Sequence, residues 1–220
     1  MDRLKVDCFQ KMFLHAAGTI IEKEPELTRI DSVIGDGDHG IGMKRGFQAV
    51  KELLEHKKYG YVDELCYAVS IELIKTMGGA SGVIFGTMFF GGINCLSHTP
   101  EVTAFQLNDY FRKGEQSIER KGKARPGQKT MLDALYPACE AMDRVASLGE
   151  IKILFREAAA GAALGVEESK TIRSKIGRSK NFQDRTIGLP DPGAVSTGLI
   201  FQAFYESLID GQLEFGGRLC

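Results

Sequence analysis

Apolar residues recur at intervals of three and four along most of this chain, which is the spacing that places side chains on one face of a helix. Eight segments show this spacing, and they cover residues 6–21, 40–56, 63–77, 83–96, 103–120, 131–145, 151–166 and 195–208. Pro25 ends the first segment, and Thr103 with Gln106 forms a predicted capping box at the start of the fifth. The fourth is apolar nearly all round and is expected in the middle of the fold. No stretch shows the alternation typical of a strand, so the chain is predicted to be all-α.

Some connections between these segments are rich in glycine and aspartate and others are plain turns. This difference predicts which end of the molecule carries the functional site. Because most connections are short, neighbouring helices are expected to run antiparallel, as an up-and-down barrel or bundle of about eight helices. Alternate connections then lie at the same end of the molecule. One end collects the stretches rich in glycine, aspartate or other polar residues, which are residues 31–40, 78–82, 122–130 and 171–193, and the other end collects plain turns. The functional site is therefore predicted at the first of these ends.

Composition narrows the classes of protein to which this chain can belong. With 220 residues and a formal net charge of -1, the chain can bury a core but has no excess of basic residues, so nucleic-acid binding is not expected. Five cysteines without a Cys-x-x-Cys pair indicate reduced thiols and a cytoplasmic location. The first residues lack an apolar signal core, and no apolar run approaches the roughly 20 residues of a membrane span. Membrane insertion is therefore not expected.

Three aspartates in the stretch 31–40 form the first candidate site, and they are Asp31, Asp36 and Asp38. Two carboxylates about 4 Å apart repel by about 4 kcal/mol near a protein surface, so a fold that gathers three of them needs a cation. Oxygen ligands favour Mg²⁺ or Ca²⁺, and the interspersed glycines allow the backbone to turn around an ion. A solvated turn is the simpler alternative, because Asp and Gly are common turn residues for other reasons. An EF-hand does not fit, since its Asp spacing and its closing Glu are not met.

The stretch Gly78-Gly-Ala-Ser-Gly82 forms the second candidate site, because small residues directly precede a predicted helix. Free backbone N–H groups and the positive end of the helix would face outward together, which suits a phosphate. A glycine turn with a serine cap is also an ordinary helix start. The sequence contains no Gly-x-x-x-x-Gly-Lys-Ser/Thr, no Gly-x-Gly-x-x-Gly that follows a predicted strand, and no His-Arg-Asp motif, so P-loop, Rossmann and protein-kinase folds are not expected. The two candidate sites together favour a metal-assisted phosphate site of another design.

Taken together, these stretches resemble the nucleotide-binding L subunit of dihydroxyacetone kinase across nearly the whole chain. The matching elements stand in that family's order, and they are Asp31 with residues 34–40, residues 78–82, residues 122–124 with 129–131, residues 177–178 and residues 191–193. The resemblance implies a barrel of eight antiparallel helices over residues 1–210, with ADP or ATP across one end and a tail of unknown role over residues 211–220. It implies two Mg²⁺ ions held by Asp31, Asp36 and Asp38. It also implies nucleotide contacts from His39, Gly40, Ile41, Gly42, Ala80, Ser81, Gly122, Met131, Arg178, Asp191, Pro192 and Gly193.

The same resemblance implies a phosphotransferase that acts only with a partner. A separate K-type subunit would hold the ketose through a histidine, and this chain would pass it the phosphoryl group of ATP. No residue of this chain is expected to act as nucleophile or base, and Arg178 is expected to stabilise charge. Some relatives keep ADP bound and recharge it from a phosphohistidine protein of the sugar phosphotransferase system, and others exchange ATP. Gly42 stands where relatives usually carry Asn, which leaves the ketose open between dihydroxyacetone and a related triose or tetrulose.

Other functions would use the same residues. The chain could be a non-catalytic module that binds ADP or ATP and reports to a regulatory partner, or a helical scaffold stabilised by Ca²⁺. The implied contacts have structural alternatives too: His39 as a structural hydrogen-bond donor, Met131 as a core residue, and Arg178 as part of a solvated basic loop. Binding and activity measurements distinguish these readings.

Overall fold

Helices dominate the computed structural model, which describes residues 2–210. The described residues form nine α-helices: α1 (Val6–Glu22), α2 (Glu24–Ile34), α3 (His39–His56), α4 (Val62–Thr76), α5 (Gly79–Phe90), α6 (Ala104–Gly122), α7 (Leu132–Val145), α8 (Ile151–Ser169) and α9 (Pro192–Asp210). Short 3-10 segments cover Ile93–Cys95, Ala146–Leu148 and Arg178–Thr186. None of the described helices is long and apolar enough to cross a bilayer. The predicted tail, residues 211–220, lies outside the described residues.

The helices pack in a closed cycle. Each helix from α3 to α8 packs against the next helix in the chain, α9 packs against α1, and α1 packs against α3. α2 lies beside this cycle, where it contacts α3, α9 and the 3-10 segment Arg178–Thr186. The prediction of an all-α fold is confirmed. A closed cycle of contacts is what a barrel requires, and the barrel form itself stays a prediction.

The second helix, α2, is the main difference from the sequence prediction, which has eight helices. Pro25 does not end a helix: α1 ends at Glu22, and Pro25 lies in the first turn of α2, where the missing N–H of proline costs no hydrogen bond. The buried residues of α2 are only Leu27, Asp31 and Ile34, so its apolar stripe is too narrow to predict a helix. As a consequence, Asp31 lies in the last turn of a helix and not in a loop.

A small antiparallel ribbon precedes α1 and α6. Its strands are β1 (Arg3–Lys5) and β2 (Glu101–Thr103), with Leu4 opposite Val102. The expectation of no strand is wrong here, because three residues are too few to show alternation. The predicted capping box is confirmed: the Thr103 N–H donates to Gln106 Oε1 at 3.0 Å, and the Gln106 N–H donates to Thr103 Oγ1 at 3.3 Å.

The core is built on aromatic rings contributed by several helices. Phe13 of α1 packs edge-on against Phe89 of α5 and Phe204 of α9, with ring centroids 5.2 Å apart in both pairs. Phe111 of α6 contacts Phe201 of α9 at 5.1 Å. α5 is not enclosed as expected from its apolar sequence, since Val83 and Phe90 on it are 41% and 48% exposed. These ring contacts join α1, α5, α6 and α9 in one core.

Candidate functional site

The three aspartates come together where α2 gives way to α3. Asp31 belongs to the last turn of α2, and Asp36 and Asp38 belong to the connection. Gly35 is required there, because a Cβ at this position would lie 2.1 Å from Asp31 Oδ1. Gly37 has a φ of +75°, which side chains disfavour. One carboxylate oxygen from each aspartate lies within 4.8 Å of the others, so the sequence-predicted cluster is formed.

Backbone geometry fixes the orientation of the buried member of this cluster. Asp31 is 8% exposed, and its Oδ2 accepts a hydrogen bond from the backbone N–H of His39 at 3.1 Å. His39 is the first residue of α3, so the carboxylate lies at the positive end of that helix. Asp36 and Asp38 are exposed.

Arg178 supplies positive charge to the same cluster from a distant part of the chain. Its guanidinium forms an ion pair with Asp36, and its Nη1 lies 3.4 Å from Asp38 Oδ2. Arg178 begins the 3-10 segment that contacts α2. A cation thus already lies against two of the three carboxylates. This arrangement, with oxygen donors only, fits a hard divalent cation such as Mg²⁺.

His39 connects the aspartate cluster to the beginnings of two other helices. Its ring Nε2 lies 2.7 Å from Ser196 Oγ of α9, and its Nδ1 lies 3.5 Å from Ser81 Oγ of α5. Burial lowers the pKa of His39 to about 4, although the nearby Asp31 carboxylate opposes this shift. The ring is therefore neutral at pH 7, with one nitrogen as donor and the other as acceptor.

The beginning of α5 has the geometry of an anion site. Gly78 and Gly79 have φ values of +76° and +59°, and α5 starts without a side-chain cap. The N–H groups of its first turn, which includes Ala80 and Ser81, therefore lack side-chain partners. Arg45 lies next to this turn, where its Nε donates to the carbonyl of Thr76 at 2.7 Å. A phosphate at this helix end would meet the N–H groups and be close to a guanidinium.

A second group of predicted residues meets at the beginning of α9. Asp191 Oδ2 accepts the backbone N–H of Ala194 at 2.8 Å and so caps the helix that starts at Pro192. A Cβ at Gly193 would lie 3.1 Å from Asp191 Oδ2 and 3.3 Å from the Met131 Cβ, so these residues are in close contact. Burial raises the pKa of Asp191 to about 7. Met131 itself is 5% exposed and contributes to the core.

The other residues predicted to contact the nucleotide are glycines and an exposed isoleucine, whose side chains form no hydrogen bonds in the site. A Cβ at Gly40 would lie 2.3 Å from Thr28 Oγ1, so glycine there permits α3 to pack on α2. Gly42 lies near the Met77 carbonyl that precedes Gly78, and Ile41 is 55% exposed. Gly122 ends α6, and a Cβ there would reach the Ala124 side chain at 3.9 Å. Among the described contacts, none joins Gly122 to the aspartate cluster.

Sequence reasoning missed three polar residues of this end. Ser196 lies four residues after Pro192, to whose carbonyl it donates, and therefore on the same face of α9. Arg45 lies three residues after Gly42 and donates to the carbonyls of Thr76 and Met77 at the end of α4. Lys129 lies in a stretch that carries the resemblance, but its burial could not be predicted from a lysine in a polar loop. The helical spacing of Ser196 from Pro192 and of Arg45 from Gly42 could have predicted that these residues lie near the site. No such spacing pointed to Lys129.

These contacts define an all-α domain in which His39 joins an acidic cluster to the start of α5. Residues 33–206 match the DAK2 domain family, and the chain belongs to that family. The ADP-binding subunit DhaL of the PEP-dependent dihydroxyacetone kinase of Escherichia coli is 32% identical over 192 residues, which are 86% of this chain and 91% of that protein.

Two further relatives are longer than this chain. The L-erythrulose kinase of Pectobacterium atrosepticum is 31% identical over 86% of this chain and 32% of that protein. The crystal structure of the dihydroxyacetone kinase from C. freundii in complex with AMP-PNP and Mg²⁺ matches with a TM-score of 0.72 over 90% of this chain and 33% of that chain. At 22% identity, the structural match shows a shared fold. The named relatives are kinases, so the family is a kinase family.

Proposed function

We propose that this chain is the Mg-nucleotide-binding phosphotransfer subunit of a ketose kinase. One observation carries the proposal: the His39 N–H donates a hydrogen bond to the Asp31 carboxylate, and the His39 ring contacts the Ser81 hydroxyl. The acidic cluster and the uncapped start of α5 are thus joined through one residue. A metal-bound diphosphate needs both an acidic site and an anion site within a few ångströms. The names of the relatives, which include ADP and AMP-PNP with Mg²⁺, support the nucleotide.

The proposed binding residues form three groups, one for the metal ions, one for the phosphates and one for the rest of the nucleotide. Asp31, Asp36 and Asp38 would hold two Mg²⁺ ions, which when bound neutralise the phosphate charge and orient the terminal phosphate. The first turn of α5 and residues 39–42 would hold the phosphates. Gly122, Met131 and residues 191–193 would hold the rest of the nucleotide. Residues 1–210 would form this one domain, and a cytoplasmic location agrees with a soluble phosphoryl acceptor.

The chemistry assigned to the chain is positioning and charge stabilisation. In the transfer, a ketose hydroxyl oxygen would bond to the terminal phosphorus of ATP while the bond from that phosphorus to the β–γ bridging oxygen breaks, and ADP leaves. Arg178 pairs with Asp36, and we assign it the stabilisation of charge on the transferred phosphoryl group. We assign His39 a hydrogen-bonding role, because both of its ring nitrogens face serine hydroxyls, and we assign no base to this chain. The hydroxyl proton would therefore leave through a group on the partner subunit.

The proposed partner is a K-type subunit that holds the ketose. The E. coli relative is named as one subunit of a PEP-dependent kinase, which agrees with both a partner subunit and a phosphohistidine protein that recharges bound ADP. Relatives act on dihydroxyacetone and on erythrulose, so the ketose class is a triose or tetrulose.

A reconstitution experiment tests this function. The chain is mixed with a K-type subunit, Mg²⁺ and ATP, and the sugar phosphate formed from dihydroxyacetone or erythrulose is measured by ³¹P NMR. Each protein alone serves as the control. We expect product only in the complete mixture. Tight binding of Mg·ADP without product from any ketose, with ATP or with a phosphohistidine donor, would instead support the nucleotide-sensing module.

A further inference from the structure

Lys129 is a buried cation that the proposed transfer does not use. It lies in the connection between α6 and α7 and is only 1% exposed. Its φ of +62° is uncommon for a residue with a side chain. Burying an ammonium group is unfavourable unless other groups replace its water. The partners of this ammonium group therefore indicate what it does.

The ammonium group joins two parts of the chain that are twenty residues apart. Lys129 Nζ donates to the Ser169 carbonyl and to the Leu189 carbonyl, each at 2.5 Å. Ser169 ends α8, where helix carbonyls carry negative partial charge, and Leu189 shortly precedes α9. Burial lowers the pKa of Lys129, and the nearby Asp191 and Asp133 carboxylates oppose that shift. Two carbonyls and two nearby carboxylates thus favour the charged form of the Lys129 ammonium group.

Arg178 belongs to the connection between α8 and α9. We name residues 170–191, which lie between the end of α8 and the start of α9, the Arg178 loop. Two further hydrogen bonds join its ends: Gly188 N–H to the Lys170 carbonyl at 2.7 Å, and Asp191 N–H to Ser169 Oγ at 3.1 Å. At the far side of the loop, the Arg178 guanidinium contacts Asp36 and Asp38. The loop is therefore held at its base by Lys129 and at its tip by the acidic cluster.

We propose that Lys129 is a positioning residue for Arg178, since it fixes the base of the Arg178 loop and so places the guanidinium beside the aspartates. The inference rests on the proposed nucleotide site, and it requires no contact between Lys129 and the nucleotide. A methionine at this position would fill similar space but could not donate to either carbonyl. The two ends of the loop would then separate more readily, and Arg178 would spend less time at the cluster.

A double-mutant cycle tests whether Lys129 acts through Arg178. The affinity for Mg·ADP is measured by calorimetry for the wild type, Lys129→Met, Arg178→Gln and the double variant. We expect Lys129→Met to weaken binding about tenfold, and the double variant to bind within about twofold of Arg178→Gln alone. Lys175→Met is the matched control, because it removes an exposed lysine from the same loop and should leave affinity unchanged.

Three results would overturn the inference or separate it from the proposed function. Wild-type affinity in Lys129→Met contradicts it, and so do additive losses, which a generally loosened fold would produce. If Lys129→Met does not fold, the same cycle with Lys129→Gln decides, because the shorter, uncharged amide cannot donate to both the Ser169 and the Leu189 carbonyls. Hydrogen exchange needs no nucleotide: the Gly188 and Asp191 amides should exchange faster in Lys129→Met than in Lys175→Met, and equal rates contradict the inference even if Mg·ADP does not bind.

Discussion

The starts of α5 and α6 solve the same physical problem in opposite ways. The first N–H groups of any helix lack partners within the helix. At α6, Thr103 and Gln106 satisfy them with a reciprocal capping box. At α5, Gly78 and Gly79 have positive φ values and no side chain caps the helix. The first arrangement stabilises the fold. The second leaves donors available at a helix start that His39 links to the acidic cluster, which is why we assign the ligand to α5.

The largest effect is expected from variants that remove the proposed Mg²⁺ site, because a nucleotide bound at the start of α5 would need that ion. Asp36→Asn and Asp38→Asn keep the shape of the side chain but remove a charged oxygen ligand. We expect the affinity for Mg·ADP to fall by about 100-fold or more, and product formation with the partner to be lost. Calorimetry and the NMR assay measure these effects. Asp184→Asn, which removes a carboxylate from the Arg178 loop, is the control, and equal losses there would contradict the assignment.

Asp191 caps α9 and gives a third kind of helix start, in which the cap is itself buried. Its pKa is raised to about 7 by burial, above the value of 3.8 for an exposed carboxyl group. The folded state therefore binds this proton more tightly, so stability should fall as pH rises from about 4 to about 7, by up to about 1.4 kcal/mol per pH unit from this group. Asp191→Asn should remove that contribution. Urea unfolding at several pH values measures it, and an unchanged slope would contradict the shift.

Gly78→Ala tests whether the open start of α5 depends on backbone geometry. Alanine disfavours a φ of +76°, and its Cβ would lie 2.7 Å from Arg45 Nη2. We expect a loss of about 1 kcal/mol in the free energy of unfolding and about tenfold weaker Mg·ADP binding. Gly60→Ala, at a position with open space around it, is the matched control. An unchanged affinity for Gly78→Ala would show that the first turn of α5 does not bind the phosphates.

Thr103→Ala tests the other half of the contrast and should have the smallest effect on binding. Loss of the cap on α6 is expected to cost about 1 kcal/mol of stability. For a domain of this size, that corresponds to a fall of about 2 to 4 °C in Tm. The affinity for Mg·ADP should stay unchanged, because the proposed site does not include the start of α6. A loss of affinity without a fall in Tm would contradict the comparison.

Features formed by residues close together in the sequence could be predicted, and contacts between distant segments could not. The capping box was predictable because Thr103 and Gln106 interact across one turn, and the acidic cluster because its members lie within eight residues. α2 was missed because Pro25 also fits the start of a helix and few apolar residues follow it. Contacts between distant segments, such as His39 with Ser196, have no local pattern, so they required the fold.

The most direct test of the central claim is the thermal stability of the chain with Mg²⁺ and ADP, added separately and together. If the aspartates and the start of α5 form one site, each ligand completes the binding of the other. The rise in Tm with both should then exceed the sum of the separate rises, and Asp36→Asn should abolish the excess. Additive rises in the wild type, or a full rise with ADP alone, would contradict the claim that one metal-nucleotide site spans the two regions.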